Sequence, residues 1–144
     1  MLAVENYLAP SALHGLGVFT RVPIAQGQMV SRFKAPFDVE FPPALLAELS
    51  AQERKYLKTY AYLSRFDGVY ILTGDNDRFM NHSDTPNVGM NPDGTSTCLA
   101  LRHIAAGEEL VCDYRQFDLE WPEKLPHLHA AGAGGKTAAP LAPT

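Results

Sequence analysis

Apolar residues come in short runs along this chain, and most runs are closed by Gly, Pro, Asn or Asp. Residues 4–8, 17–20, 29–33, 69–72, 98–101 and 109–112 are rich in β-branched, aromatic or alternating apolar side chains. Such runs suit a pleated, half-buried surface, so each predicts a short strand. One stretch reads differently. From about residue 43 to 63 the spacing is helical, and Pro42 and Pro43 suit a first turn. Ser50 and Glu53 have the spacing of a capping box, which predicts that a second helix restarts there. Leu57, Tyr60, Ala61 and Ser64 would then share one face, with Tyr56 and Tyr60 read as core packing. The expected fold class is mostly β, several small sheets with a helical insertion at about 43–64.

Two segments echo each other. Residues 24–30 read Ile-Ala-Gln-Gly-Gln-Met-Val, and residues 104–110 read Ile-Ala-Ala-Gly-Glu-Glu-Leu. Each places an Ile, a tight turn with a Gly able to take positive φ, and then a strand. The echo is too short for an architectural repeat. From residue 130 onward nearly every residue is small or Pro, which cannot bury enough apolar surface to order itself. The expected organisation is one folded domain over 1–128, its C-terminal flank at 115–128, and a disordered tail over 129–144.

Composition narrows the function. The chain has 144 residues, 46% of them hydrophobic, which is enough for one core. A net charge of -4 argues against a nucleic-acid binder and fits a locally basic partner such as a Lys/Arg-rich peptide. The first residues show neither a basic n-region nor a long apolar run, so the expectation is a cytoplasmic protein with no membrane association. Cys98 and Cys112 form no C-x-x-C pair, so thiols are expected and a structural metal site is not.

The chemistry concentrates in residues 78–87, Arg-Phe-Met-Asn-His-Ser-Asp-Thr-Pro-Asn, a polar string between apolar runs. Asn81-His82-Ser83 matches a glycosylation sequon, which requires secretion. Ser83 could join a catalytic triad but sits in no G-x-S-x-G elbow. His82 could ligate metal with Cys98, His103 or Cys112, at a spacing that matches no known motif. The fourth reading is a loop whose amides satisfy a bound ligand and buried backbone, with turn chemistry supplied by residues 84–87.

Three separated pieces belong together: Gly15-Leu16-Gly17, Asn81-His82-Ser83-x-x-Pro86-Asn87, and Gly107-Glu108-Glu109-Leu110-x-x-Asp113-Tyr114. In this order they resemble the SET-domain family of protein lysine methyltransferases, and Tyr62-Leu63 and Arg78-Phe79 fit the same pattern. The resemblance covers about residues 4–121. It implies a knot-like C-terminal segment threaded through a loop, with S-adenosylmethionine as cofactor. It implies a basic, lysine-containing protein substrate, histone-like or ribosomal among others. The chain lacks the cysteine clusters that flank many members, which leaves room for a homodimer whose partner covers the open side. Asp84 and Cys112 stand where many relatives have Cys and an aromatic residue.

By the same resemblance Tyr114 is the catalytic residue, with Tyr62 beside it. Gly15, Leu16, Gly17, Phe79, Asn81, His82 and Tyr114 hold the cofactor, His82 partly through its backbone. Tyr62, Tyr70, Cys112, Phe117 and Trp121 line or cap the lysine channel, with no metal. A Cβ at position 17 is unwelcome because the backbone approaches the cofactor. Glu109 and Asp113 are expected to make structural hydrogen bonds or to attract a basic substrate.

Overall fold

The computed structural model describes residues 1–127, so the expected tail at 129–144 lies outside the described residues. In chain order the strands are β1 (Asn6–Pro10), β2 (Leu16–Thr20), β3 (Met29–Arg32), β4 (Val39–Phe41), β5 (Tyr62–Leu63), β6 (Tyr70–Leu72), β7 (Asn81–His82), β8 (Val88–Met90), β9 (Thr97–Ala100) and β10 (Val111–Cys112). They make four small sheets: β1 with β2, β3-β9-β8, β4-β6-β5, and the parallel pair β7 and β10. The six expected strands all appear, with ends shifted by at most two residues. β4, β5, β7 and β8 were not foreseen, because two or three residues carry too little pattern to register.

The helical stretch is shorter than its spacing suggests. A 3-10 turn spans Pro43–Glu48 and helix α1 spans Ala51–Tyr60. The capping box closes as expected: the Ser50 Oγ accepts from the Glu53 N–H at 3.2 Å, and the Glu53 carboxylate accepts from the Ser50 N–H at 2.7 Å. Leu57 and Ala61 are buried with Tyr70 in a small second core. The helix stops there, and Tyr62 and Leu63 turn out to be strand, paired with Ile71 and Tyr70. Helical periodicity is local information and cannot register pairing partners seven and nine residues away.

The two echoing segments meet. Ile24 and Ile104 exchange backbone hydrogen bonds, both at 2.9 Å. Gly27 donates to the Ala100 carbonyl at 2.8 Å, and Gly107 donates to the Thr20 carbonyl at 2.7 Å. Each glycine is three residues after its Ile, and each acceptor lies four before the opposite Ile. The two turns are thus related by a local two-fold, and both glycines have φ above +80°. Ile24, Ile104, Val18, Val30 and Leu110 are fully buried around this axis and form the heart of the main core.

Residues 109–112 run through the middle of this framework. Leu110 donates to the Val18 carbonyl at 2.8 Å, and Val111 and Cys112 pair with Asn81 and His82. From the other side Asn87, only 1% exposed, mimics a further strand. Its Oδ1 accepts from the Val111 N–H at 2.9 Å, its Nδ2 donates to the Glu109 carbonyl at 2.8 Å, and its own N–H donates to the Val111 carbonyl at 3.1 Å. The polar string therefore reaches the interior to satisfy buried backbone.

Candidate active site

The turn between β1 and β2 is closed by the Ser11 N–H on the Gly15 carbonyl at 2.8 Å, with Gly15 in the left-handed region at φ 48°. One buried amide pins this turn. The Asn81 Nδ2 lies 3.0 Å from the His14 carbonyl, 3.1 Å from the Leu16 carbonyl and 2.9 Å from the Glu109 carboxylate. The other Glu109 oxygen accepts from the Ser11 hydroxyl at 2.9 Å. Glu109 also explains the bare position 17: a Cβ there would stand 2.2 Å from its Oε1 and 2.7 Å from its Cδ. The reason for glycine is thus a carboxylate of the chain itself, where the sequence had pointed to the cofactor.

Tyr114 follows β10 and is anchored at both ends. Its hydroxyl donates to the Met80 carbonyl at 2.7 Å, and its backbone N–H donates to the His82 Nδ1 at 3.2 Å. Its ring meets His82 edge-on at 5.5 Å and Phe117 at 5.9 Å, and Phe117 in turn meets Tyr62 at 4.9 Å. Burial, with Cys112, Asp118 and Glu109 nearby, pushes the Tyr114 phenol far above its ordinary ionisation range. Burial does the same to Tyr62 and to the Cys112 thiol. Both phenols are therefore neutral, and neither can act as an anionic base. A phenol whose proton is committed to Met80 still has oxygen lone pairs to offer.

Two cavities meet at this residue. The larger, about 1240 Å³, is lined by Gly15, Leu16, Phe79, Asn81, His82 and Tyr114 among others. The smaller, about 510 Å³, is lined by Tyr62, Met80, Cys98, Cys112, Tyr114 and Phe117 among others. Tyr114 lines both, and so does Arg78, whose guanidinium bonds to the Tyr56 hydroxyl. Gly17 lines neither and lies behind Leu16, against Glu109. Tyr70 also lines neither. Its ring is in the second core and its hydroxyl donates to Glu120 at 2.6 Å. Trp121 opens the short helix α2 (Trp121–Lys124), likewise away from both cavities.

Met80 was missed by sequence reasoning, since it acts through a carbonyl that any residue would supply. The bracketing role of Glu109 depends on contacts 28 and 98 residues away. Asp113 caps the turn holding Tyr114: its carboxylate accepts from the Arg115 backbone N–H at 3.0 Å and pairs with the Arg115 guanidinium at 2.8 Å. Among the described residues no group of three or more His, Cys, Asp or Glu side chains is placed to hold a metal ion. Among the same residues no helix is long and apolar enough to cross a membrane.

Known proteins resemble this chain in sequence and in fold. A histone H3 lysine-4-specific N-methyltransferase of Emericella nidulans is 33% identical over 142 residues, covering 88% of this chain and 11% of the relative. Histone-lysine N-methyltransferase ATX2 of Arabidopsis thaliana is 29% identical over 125 residues, 76% of this chain and 11% of the relative. The chain thus spans about a tenth of the length of these curated relatives. Among solved structures, a candidate histone methyltransferase of Plasmodium falciparum superposes with a TM-score of 0.53 at 21% identity, over 78% of this chain and 95% of that one. The autoinhibited complex ctPRC2 bound to S-adenosylmethionine gives a TM-score of 0.62 at 19% identity, over 89% of this chain and 17% of that one. Both structures share the fold. The profile of the SET domain matches residues 15–115, from the turn that Asn81 pins to the arginine beside Tyr114, and by that match the chain belongs to the SET-domain family.

Proposed function

We propose that the protein transfers a methyl group from S-adenosylmethionine to the ε-amine of a lysine in a basic protein. The observation that carries this reading is the double exposure of Tyr114, one neutral phenol forming a wall of both cavities. Sequence kinship to histone-lysine methyltransferases supports it, and so does the net charge of -4 for the basic character of the substrate.

The larger cavity suits the cofactor. Its volume exceeds the ~300–1,000 Å³ of an ordinary small-molecule site, it has a bare backbone at Gly15, and it is lined by His82. The Nε2 of that histidine is buried without a hydrogen-bond partner within the chain. Gly15, Leu16, Phe79, Asn81 and His82 would hold S-adenosylmethionine, which supplies an activated methyl on sulfur. Asn81 does so through its backbone, because its amide is already committed to the turn.

The smaller cavity takes the lysine. A free lysine has a pKa near ~10.4, so only about one side chain in 2,500 is neutral at pH 7. A channel walled by Tyr62, Phe117 and Cys112 disfavours the ammonium form. The Tyr114 oxygen, its proton held by Met80, accepts an N–H of the neutral amine and turns the nitrogen lone pair toward the cofactor side.

The test is incubation of the purified protein with methyl-labelled S-adenosylmethionine and a lysate freed of small molecules, beside Tyr114→Phe. The wild type should label a discrete protein. The variant should lose on the order of 10²-fold in rate, the usual effect of removing one oriented polar contact. Its cofactor affinity by calorimetry should hold. Full activity in Tyr114→Phe would sink the mechanism, and absence of both label and cofactor binding in the wild type would sink the enzyme reading.

A further inference from the structure

We propose that Arg115 is a positioning residue for Tyr114, acting through His82: its guanidinium pairs with both carboxylates that face the imidazole, offsets one of their two charges, and so keeps the Nδ1 of His82 a hydrogen-bond acceptor. The inference rests on the methyl-transfer reading for its kinetic consequence, and on geometry alone for its structural one.

The His82 side chain is 7% exposed. Its Nδ1 accepts from the Tyr114 backbone N–H at 3.2 Å, which requires that nitrogen to carry no proton. The ring proton then belongs on Nε2. Two acids stand by the ring. Asp84, on the turn after β7, places its Oδ1 3.5 Å from Nε2. Asp113, just after β10, places its Oδ1 3.7 Å from Nδ1. Unopposed, this pair would draw a second proton onto the imidazole. A doubly protonated ring would present N–H to the N–H of Tyr114, and one of the two anchors of the catalytic phenol would be gone.

Arg115 stands between the acids. Its NH2 lies 2.9 Å from Asp84, and its Nε and NH2 grip Asp113 at 2.8 and 3.0 Å. Asp113 responds as expected: burial opposes its ionisation, yet the bonds from Arg115 hold its carboxyl below the usual range. The three side chains together carry one net negative charge, and without the guanidinium they would carry two. Among the described residues Asp84 and Asp113 are the carboxylates within 4 Å of the imidazole nitrogens, Arg115 reaches the ring only through them, and the Tyr114 phenol ring meets it edge-on.

The test compares wild type, Arg115→Gln and the double variant Arg115→Gln/Asp84→Asn. Arg115 is 42% exposed on its side chain, so the substitution leaves packing intact. One uncompensated charge about 4–7 Å from the ring, at an effective dielectric constant near 20–80, raises the imidazole's proton affinity about threefold or more, so the variant-to-wild-type rate ratio should fall as the pH is lowered from 8.5 to 6. The double variant restores one net negative charge and should bring the ratio back to within about twofold. A loss equal at all pH values, or one that Asp84→Asn fails to relieve, overturns the proposal. Nitrogen-15 NMR supplies a readout independent of catalysis. In Arg115→Gln at pH 6 the His82 Nδ1 should be more protonated than in wild type, and the Tyr114 amide resonance should move with it. An unchanged imidazole, or a Tyr114 amide that ignores it, overturns the proposal. If the wild type transfers no methyl, the catalytic reading falls and the NMR experiment still decides the link.

Discussion

Asn87 is the residue on which the site's framework turns, and Asn87→Ala puts a number on it. The change deletes both side-chain bonds to the strand that carries Glu109 and Val111 and leaves the backbone bonds of residue 87 in place. The Glu109 carbonyl and the Val111 N–H are then buried without partners. Each such group costs about 1–3 kcal/mol, so the expected loss is about 2–6 kcal/mol, the low end applying where water replaces the amide. Against a total stability of about 5–15 kcal/mol for a small domain, this is a large fraction. Urea unfolding followed by the single tryptophan reads it, as a lower midpoint at unchanged m. The same strand positions Glu109, which holds Asn81 and through it the Gly15–Gly17 turn, so cofactor affinity should fall as well. Asn87→Asp is the sharper control. It keeps an acceptor for Val111 but turns an anionic oxygen toward the Glu109 carbonyl. Burial raises that carboxyl above its unfolded range, so its destabilisation relative to wild type should shrink as pH falls toward 4 and grow above it. A loss below about 1 kcal/mol for Asn87→Ala, at the wild-type m, would refute the argument.

Gly17→Ala should displace the Glu109 carboxylate from both Ser11 and Asn81, weakening S-adenosylmethionine binding about tenfold or more by calorimetry, whereas unchanged affinity would show that the turn tolerates the shift. Asp77, chiefly through burial, has its carboxyl raised to about 6 from 3.8. A raised carboxyl contributes stability at low pH that is lost as pH climbs from about 4 to 6, so Asp77→Asn should gain up to ~3 kcal/mol at pH 7.5 and little at pH 4 in denaturation measurements. Cys112→Phe narrows the smaller cavity beside Tyr114, so mass spectrometry of the product should show fewer methyl groups per lysine, and an unchanged distribution would place Cys112 outside the methyl-accommodating space.

Much of this fold was legible because its signals are local. The strand runs, the Gly27 and Gly107 turns and the Ser50–Glu53 capping box each depend on residues within a few positions of one another. The motif strings likewise marked which segments converge. What local pattern could not supply was partners. Tyr62 and Leu63 read as the end of a helix and became a strand, because Ile71 and Tyr70 offered hydrogen bonds that helical spacing does not encode. Tyr70 read as a channel residue and went to the second core. Gly17 read as a cofactor contact, and the fold supplies a different reason for the missing Cβ, a carboxylate arriving from residue 109. The sequence by itself determined which residues are polar, small or aromatic, and where turns fall. The tertiary structure decided which of them face each other: Asn87 against the strand of Glu109, Asn81 against the turn, and Tyr114 between two cavities. The physical reason is that hydrogen-bond satisfaction in a buried site is settled by groups far apart in the chain, and only the folded backbone brings them within reach.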